Sequence, residues 1–299
     1  MRHITSIFNC VRPVCPRIRF SVTCGSTARL GAASGFVGGI STDLFGSLIA
    51  DHAIASNVDL RYATRSAHQT TLAFVRIVAG ESQYAFYDAE TASANWSYQR
   101  GSIAFDAVEA VHIGSTTLVH ERGAAEAGAL IADARPSATI SFDPNCRPVL
   151  VHNKKAYRAR MDAFGENADI VRMSDVDFNY LYGDDVYTAQ AERLLGRGAS
   201  LFVVTRGGNG VQAWHRNAGM IEARAPAVEV VDTIGAGDSF QAALLFALAR
   251  LKRIDRASLQ SAGADELRKA LSFACQCAAL TCTRAGADPP RYSEVAGLW

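Results

Sequence analysis

One stretch near the C-terminal end decides the fold: Val228-Glu229-Val230-Val231-Asp232-Thr233-Ile234-Gly235-Ala236-Gly237-Asp238-Ser239-Phe240. Its first four residues, three of them β-branched valines, predict a strand. From the final phenylalanine onward, apolar residues recur with the i, i+3, i+4 spacing of an amphipathic helix. The Gly-Ala-Gly turn between them lets an anion approach the unpaired N–H groups that begin the helix. The stretch therefore predicts an anion site, which the helix macrodipole strengthens.

Asp238 places a carboxylate in the first turn of this helix, beside the predicted anion site. An acidic residue there favours the helix dipole, and that alone accounts for many such aspartates. The carboxylate could instead be a general base, while the N–H groups of Gly235, Ala236 and Gly237 stabilise a transferring phosphoryl group. The residues alone leave both interpretations open. The turn is neither a Walker A loop nor a dinucleotide fingerprint, because no Gly-Lys-Ser/Thr follows and Phe240 replaces the third glycine.

The composition describes a globular protein with a well-filled core: 299 residues, 49% apolar residues and a formal net charge of +1. The length fits one large α/β domain or two small ones. We expect no nucleic-acid partner and no membrane span, because there is neither a basic stripe nor a long apolar run. The seven cysteines lack CxxC spacing, so we expect no disulfide framework or zinc site and a reducing, cytoplasmic environment.

From Gly35 onward, strand and helix patterns alternate, beginning with a predicted strand at Phe36–Ile40. This order predicts a mainly parallel, doubly wound α/β sheet with right-handed crossovers. Ligands of such sheets bind at the carboxyl ends of the strands. Polar residues follow the predicted strands at that edge: Ser115, Asp143, Asn145, Arg147, Ser174, Thr205 and Asp232.

The segment Asp232–Phe240 resembles the second signature of the PfkB, or ribokinase-like, family of carbohydrate kinases. Other stretches agree in order and spacing, and the resemblance runs from about Ala28 to the end. It implies a ribokinase-like fold, with helices on both faces of the sheet and a small β-lid. It also implies ATP-dependent phosphorylation of a primary hydroxyl of a sugar, closest to fructokinases. The agreeing stretches are Gly31–Gly46, which resembles part of the first signature, and Ser141–Pro148, Val203–Gly210 and Ala278–Ala287.

The resemblance also implies roles for single residues. Asp238 is then the base. The N–H groups of Gly235, Ala236, Gly237 and Asp238 together form the anion hole. Each of the other residues has a plainer interpretation as a helix cap, turn, hairpin, exposed loop or core position. The implied contacts are ATP with Ser174, Thr205, Gly207, Gly210 and Cys275; the sugar with Ser115, Asn145 and Arg147; Mg²⁺ with Asp177; and a monovalent cation with Asp232.

Residues 1–29 differ from the rest: they hold five arginines, three cysteines and two prolines, and the first acidic residue is Asp43. A transit peptide, a disordered extension and an altered, out-of-frame start all fit this composition. The family places here a strand with a substrate-binding aspartate and a Gly-Gly…Asn segment, both absent from this chain. We therefore predict an altered start ahead of a kinase domain at residues 30–299. Residues 1–20 should be loosely held, leaving unpaired strand edges and a half-built sugar pocket.

Three functions are compatible with these observations. The leading hypothesis is a fructokinase-like sugar kinase. The alternatives are a catalytically impaired relative that binds a nucleotide or sugar, and a nucleoside kinase of the same fold. The expected partners are a small-molecule sugar and ATP with Mg²⁺, and the sequence leaves a homodimer open.

Overall fold

The computed structural model describes residues 3–6, 22–78 and 81–298. Its strands are β1 His3–Ser6, β2 Ser34–Phe36, β3 Gly38–Ser41, β4 Val58–Asp59, β5 Ala63–Ser66, β6 Leu72–Val78, β7 Glu81–Tyr87, β8 Val108–Gly114, β9 Thr139–Asp143, β10 Ile170–Ser174, β11 Leu201–Thr205, β12 Val211–His215 and β13 Gly219–Ala223. Its helices are α1 Val22–Arg29, α2 Leu44–Ala55, α3 Glu121–Ala134, α4 Lys154–Glu166, α5 Asp175–Tyr182, α6 Tyr187–Arg197, α7 Ala236–Arg250, α8 Arg256–Gln260, α9 Ala264–Cys282 and α10 Tyr292–Val295.

Nine strands form one sheet in the order β13-β12-β11-β10-β9-β8-β1-β2-β4. The pairs from β11 through β4 are parallel, whereas β12 and β13 extend one edge in antiparallel orientation. Two smaller sheets, β3–β5 and β6–β7, stand apart from it. The predicted mainly parallel α/β sheet is confirmed. No helix in the part of the chain that the structure describes has the length and apolar character to cross a membrane.

Helices cover both faces of the large sheet because successive strand residues point to opposite sides. On β11, Phe202 and Val204 pack into one core cluster with side chains from α3, α4, α5 and α6. Leu201 and Val203 pack into the other cluster with side chains from α7 and α9. The parallel strands carry apolar side chains on both faces of the sheet. This is expected for strands that helices shield from water on both sides.

Helix α7 packs against α9 and against α1. Ser239 to Leu248 are all buried, so the helix is enclosed beyond the single apolar stripe that the sequence predicted. Gln241 is fully buried, and its Nε2 donates to Ser141 Oγ on β9 at 2.7 Å. This bond pins α7 to the sheet one turn after Asp238, and so fixes which way the start of the helix faces.

The beginning of the chain is more integrated than expected. Strand β1 pairs in parallel with both β2 and β8, so the prediction of unpaired edges beside it is wrong. Residues 22–29, predicted as part of an irregular start, form helix α1. The rest of the predicted loose segment, residues 1–2 and 7–20, lies outside the described residues. The division at residue 29 stays a prediction.

Two predicted strands are also wrong. Val228 to Val231 form no strand; the segment runs along the end of α9, with Val231 N donating to Cys282 O at 2.9 Å. The β-branched valines there are not covered by a neighbouring strand, and Val230 is 59% exposed. The predicted strand Phe36–Ile40 is divided between β2 and β3, which belong to different sheets.

Candidate active site

Parallel strands end at one edge of the sheet, and the polar residues that follow them meet there. The strand register pairs Gly114, just before Ser115, with Asp143, and Ser174 with Thr205. The Ser115 N–H donates to the Pro144 carbonyl at 3.2 Å and joins the two adjacent loops. Ser115, Asp143, Ser174 and Thr205 therefore lie at one edge of the sheet, as predicted, whereas Asp232 follows no strand.

Arg172 on β10 is the centre of this edge, and its side chain is buried, with 5% of the residue exposed. Its Nη1 donates to Asp143 Oδ2 at 2.6 Å, and its Nη2 donates to Thr205 Oγ1 at 2.5 Å. The Phe240 ring covers the guanidinium, with its centroid 5.7 Å from Cζ. A single buried cation thus connects β9, β10, β11 and the first turn of α7.

The two glycines of the turn Gly235-Ala236-Gly237, the anion turn, are required for different reasons. Gly235 has φ 78°, a left-handed conformation in which a β-carbon is strained. Gly237 lies in the helix, with φ outside that region. A β-carbon on Gly237 would lie 2.9 Å from Arg172 Nη1. The second glycine therefore makes room for a guanidinium.

The start of α7 presents backbone donors, but fewer than predicted, because the Ala236 N–H already donates to the Thr233 carbonyl at 3.3 Å. A contact of the Gly235 N–H with phosphate stays a prediction. No hydrogen bond joins the N–H group of Gly237 or of Asp238 to another described residue. These groups belong to the four at a helix N-terminus that have no intrahelical acceptor. With Arg172 beneath them, they form a site suited to an anion.

The Asp238 carboxylate is half-buried in the first turn of α7. Burial raises the pKa of Asp238, opposed by a hydrogen bond from Thr23 and by the positive charges of Arg147 and Arg172. Thr23 Oγ1 donates to Asp238 Oδ1 at 2.5 Å. Asp238 is therefore held near two cations and keeps a pKa above the usual aspartate range, a combination suited to a general base.

Arg147 lies in the loop after β9 and is partly buried. Its Nη1 donates to the carbonyls of Asn145 and Cys146, at 2.9 Å each, and to Asn145 Oδ1 at 2.6 Å. Its charge lowers the pKa of Asp238, so the structure brings Arg147 to the predicted base. Contact of Arg147, Asn145 or Ser115 with a sugar stays a prediction.

Ser174 and Asp177 form a capping box at the start of α5. Ser174 Oγ accepts from the Asp177 N–H at 3.0 Å, and Asp177 Oδ2 accepts from Ser174 Oγ at 2.7 Å. The other carboxylate oxygen accepts from Cys146 N at 2.8 Å. The cap explains both residues, and their roles toward ATP and Mg²⁺ stay predictions.

Asp232 fastens the anion turn to the C-terminal tail. Its Oδ1 accepts from Ile234 N at 3.0 Å and its Oδ2 accepts from Gly286 N at 2.9 Å. These bonds match the turn interpretation, and cation binding by Asp232 stays a prediction. Within residues 3–6, 22–78 and 81–298, no three His, Cys, Asp or Glu side chains are grouped to hold a metal.

The residues predicted to contact the nucleotide lie in different parts of the structure. Thr205 reaches the centre of the site through Arg172. Gly207 follows it with φ 51°, in a 3₁₀ turn where a β-carbon would meet nothing within 4 Å. A β-carbon on Gly210 would lie 2.3 Å from Ala223 O, so the hairpin itself requires this glycine. Cys275 is 5% exposed in the core between α9 and α7. Contact of these residues with ATP stays a prediction.

Sequence reasoning assigned no role to Arg172 or Thr23. The arginine among the apolar residues Ile170, Val171 and Met173 was a usable signal, because arginine is rarely buried without a partner. No comparable signal marked Thr23, which lies in the segment predicted to be an altered start.

Comparison with known proteins shows which proteins this chain resembles. A model of the pfkB family carbohydrate kinases matches residues 23–293, so the match includes Thr23. A fructokinase from Rhizobium leguminosarum bv. trifolii is 35% identical over 222 residues, 74% of this chain and 67% of that protein. Fructokinase-1 from Oryza sativa subsp. japonica is 32% identical over 277 residues, 90% of this chain and 83% of that protein.

Solved structures agree with these matches. The crystal structure of a fructokinase with bound ATP from Xylella fastidiosa superposes with a TM-score of 0.88 and 27% sequence identity. The superposition covers 99% of this chain and 97% of that one. The resemblance inferred from the sequence motifs is thereby confirmed, as is the prediction of a carbohydrate kinase.

Gly237→Ala tests the contact with Arg172. The added methyl group meets a guanidinium that Asp143 and Thr205 hold in place, so we expect a loss of roughly 1–3 kcal/mol in the free energy of unfolding. Urea denaturation measures it. Gly128→Ala is the matched control, since that glycine also lies in a helix and its β-carbon meets nothing within 4 Å. It should stabilise by about 0.5–1 kcal/mol. Equal effects of the two substitutions would contradict the packing argument.

Arg172→Met tests the buried ion pair. Asp143 is 2% exposed, and removing its partner should cost about 3–5 kcal/mol in the free energy of unfolding at pH 8. Burial already raises the pKa of Asp143 to about 6, against the lowering by Arg172. Without the arginine this pKa rises further. As the pH rises from about 4, the Asp143 carboxyl then loses its proton in the unfolded state before it does so in the folded state. The free energy of unfolding therefore falls with rising pH.

Urea denaturation at pH 5 and pH 8 measures this dependence. The cost of Arg172→Met should be smaller at pH 5, where Asp143 is mostly protonated. Combining it with Asp143→Asn should recover much of the loss at pH 8, because no unpaired charge is left buried. The exposed pair Arg268–Asp265 provides the control, and Arg268→Met should cost about 0–1 kcal/mol. A pH-independent cost would contradict the charge argument.

Proposed function

Because the chain belongs to the pfkB family of carbohydrate kinases, we propose that it transfers the terminal phosphoryl group of ATP to a primary hydroxyl of a fructose-like sugar. The position of Asp238 carries this proposal. Its carboxylate stands in the first turn of α7, beside backbone N–H groups without a described acceptor and near two arginine charges. One side of the site can thus take a proton while the other holds a phosphoryl group.

In the proposed reaction, the sugar hydroxyl lies against the Asp238 carboxylate and gives up its proton to it. The hydroxyl oxygen forms a bond to the γ-phosphorus. The bond from that phosphorus to the β–γ bridging oxygen breaks, and its electron pair leaves with ADP. The N–H groups of Gly237 and Asp238 hold the equatorial oxygens as charge spreads over them. No covalent enzyme intermediate is needed.

The two arginines have separate tasks in this proposal. Arg172 is sealed beneath Gly237, so it acts through the field of its charge and by supporting the turn. Arg147 is partly exposed in its loop and is our candidate for a cation that faces the sugar or the phosphate. A fixed cation in a partly buried site costs little reorganisation when phosphoryl charge moves.

Mg²⁺ would enter bound to ATP, where it neutralises phosphate charge. Magnesium in such sites is held by one or two carboxylates together with phosphates and water. Asp177 is our candidate for a carboxylate that reaches it through water, since both its oxygens already accept protein donors. Its charge raises the pKa of Asp143, which puts it near the centre of the site. Asp232 is the candidate for a monovalent cation.

The proposed substrate follows from the relatives. Proteins named fructokinase match this chain at 30–35% identity. The sugar side is proposed to include Ser115, Asn145 and Arg147, which lie in the loops after β8 and β9. A panel of fructose, ribose and adenosine with ATP tests the choice, and NMR of the product identifies the phosphorylated oxygen. We expect fructose to be phosphorylated on a primary hydroxyl. Preference for adenosine, or ATP binding without turnover of any acceptor, would overturn the proposal.

Asp238→Asn tests the base. The amide cannot take the proton, so we expect kcat to fall by about 10²–10⁴-fold while the Kd for ATP changes little. A coupled assay of ADP formation gives kcat, and calorimetry gives Kd. Asp265→Asn is the matched control, because Asp265 also lies in the first turn of a helix but is fully exposed on α9. Lost ATP affinity with kcat retained would reject the role.

A further inference from the structure

Thr23 connects the first helix of the chain to the proposed base. Its Oγ1 donates to Asp238 Oδ1 at 2.5 Å, although the two residues are 215 positions apart. Only 1% of Thr23 is exposed, so this side of the carboxylate is closed to water. Helix α1 packs directly against α7, which carries Asp238. The contact therefore lies in the interface between two helices.

Helix α1 is anchored at its C-terminal end, and a buried bond within the helix supports the turn that carries Thr23. Within the helix, Thr27 Oγ1 donates to the Thr23 carbonyl at 2.7 Å. At its end, Arg29 Nη1 donates to Asp288 Oδ1 at 2.8 Å and to Pro289 O at 3.1 Å. The hydroxyl of Thr23 is thus presented to Asp238 by a helix that the C-terminal segment anchors.

We infer that Thr23 is a positioning residue for the reaction: its hydroxyl occupies Oδ1 of Asp238 and directs Oδ2 toward the hydroxyl of the sugar. This inference rests on the proposed function of Asp238. Thr23 keeps its own proton throughout and exchanges none with the substrate. A carboxylate rotates easily about its terminal bond, and a fixed donor on one oxygen removes that freedom.

The charged groups that face Asp238 come from three elements. They are Arg147 from the loop after β9, Asp143 from the end of β9 and Arg172 from β10. Thr23, from α1, also faces Asp238 but carries no charge. Its hydrogen bond lowers the pKa of Asp238 against the rise caused by burial. Replacing Thr23 with valine removes the hydroxyl and keeps both shape and net charge, so its effect can be separated from that of the arginines.

The test compares Thr23→Val with Thr23→Ser in the full chain, using the pH dependence of kcat. Thr23→Val loses a hydrogen bond to the ionised carboxylate. The acid limb of its profile of kcat against pH should therefore lie about one pH unit above that of the wild type. Its kcat at neutral pH should fall between about tenfold and a hundredfold, because the base is less ionised and less well oriented. Thr23→Ser retains the donor and should keep the wild-type limb.

A second measurement needs no turnover. In protein labelled with ¹³C at the aspartate carboxyl carbons, the signal absent from Asp238→Asn identifies Asp238, and its titration gives the pKa directly. Wild type and Thr23→Ser should titrate together, with Thr23→Val about one unit higher. Equal losses of kcat in both variants, or an unmoved titration in Thr23→Val, would show that Thr23 only fills space. If Asp238→Asn retains kcat, the proposed function itself is wrong; an inactive Asp238→Asn with an unshifted Thr23→Val overturns the role of Thr23 alone.

Discussion

A guanidinium sealed inside a sheet must find its partners among neighbouring elements, and Arg172 does so at the point where the strands end. Asp143 balances its charge, Thr205 accepts a second bond, and Phe240 covers its face. Each partner comes from a different element, so their relative positions are set together. The same group leaves no space for a side chain at Gly237. The geometry of the anion turn thus depends on an ion pair beneath it.

The charges of the site oppose the effect of burial. Burial raises the pKa of Asp143 to about 6 and also raises that of Asp238, while Arg172 lowers both and Arg147 lowers that of Asp238. His112, deeper on β8, has its pKa lowered to about 3 by burial and by the charge of Arg172, so it is neutral at pH 7. Two carboxylates and two arginines near one another suit the proposed reaction, in which a phosphoryl group moves from a nucleotide to an acceptor and the acceptor gives its proton to a carboxylate.

Much of the fold was predictable from local pattern. The periodicity of apolar residues predicted the central helices and parallel strands, and the resemblance of motifs pointed to Asp238 and its neighbouring glycines. The valines before Asp232 were misassigned, because β-branched residues favour a strand only where a partner strand exists, and here the segment lies against α9. The contacts of Arg172 and Thr23 could not be predicted from spacing. They depend on which elements the sheet brings together, and no short-range pattern encodes the pairing of Thr23 with Asp238.

The separation between those last two residues has a consequence for how the site is assembled. Arg172 meets Asp143 and Thr205 across 29 and 33 positions, whereas Thr23 meets Asp238 across 215. Closing the longer loop costs roughly 2 kcal/mol more in chain entropy, and contacts of long range form late in folding. A growing chain that has completed β11 already holds Arg172 together with Asp143 and Thr205. The anion turn and the proposed base are both carried by α7, so they join this ion pair together, only after α7 has been made and has docked on α1.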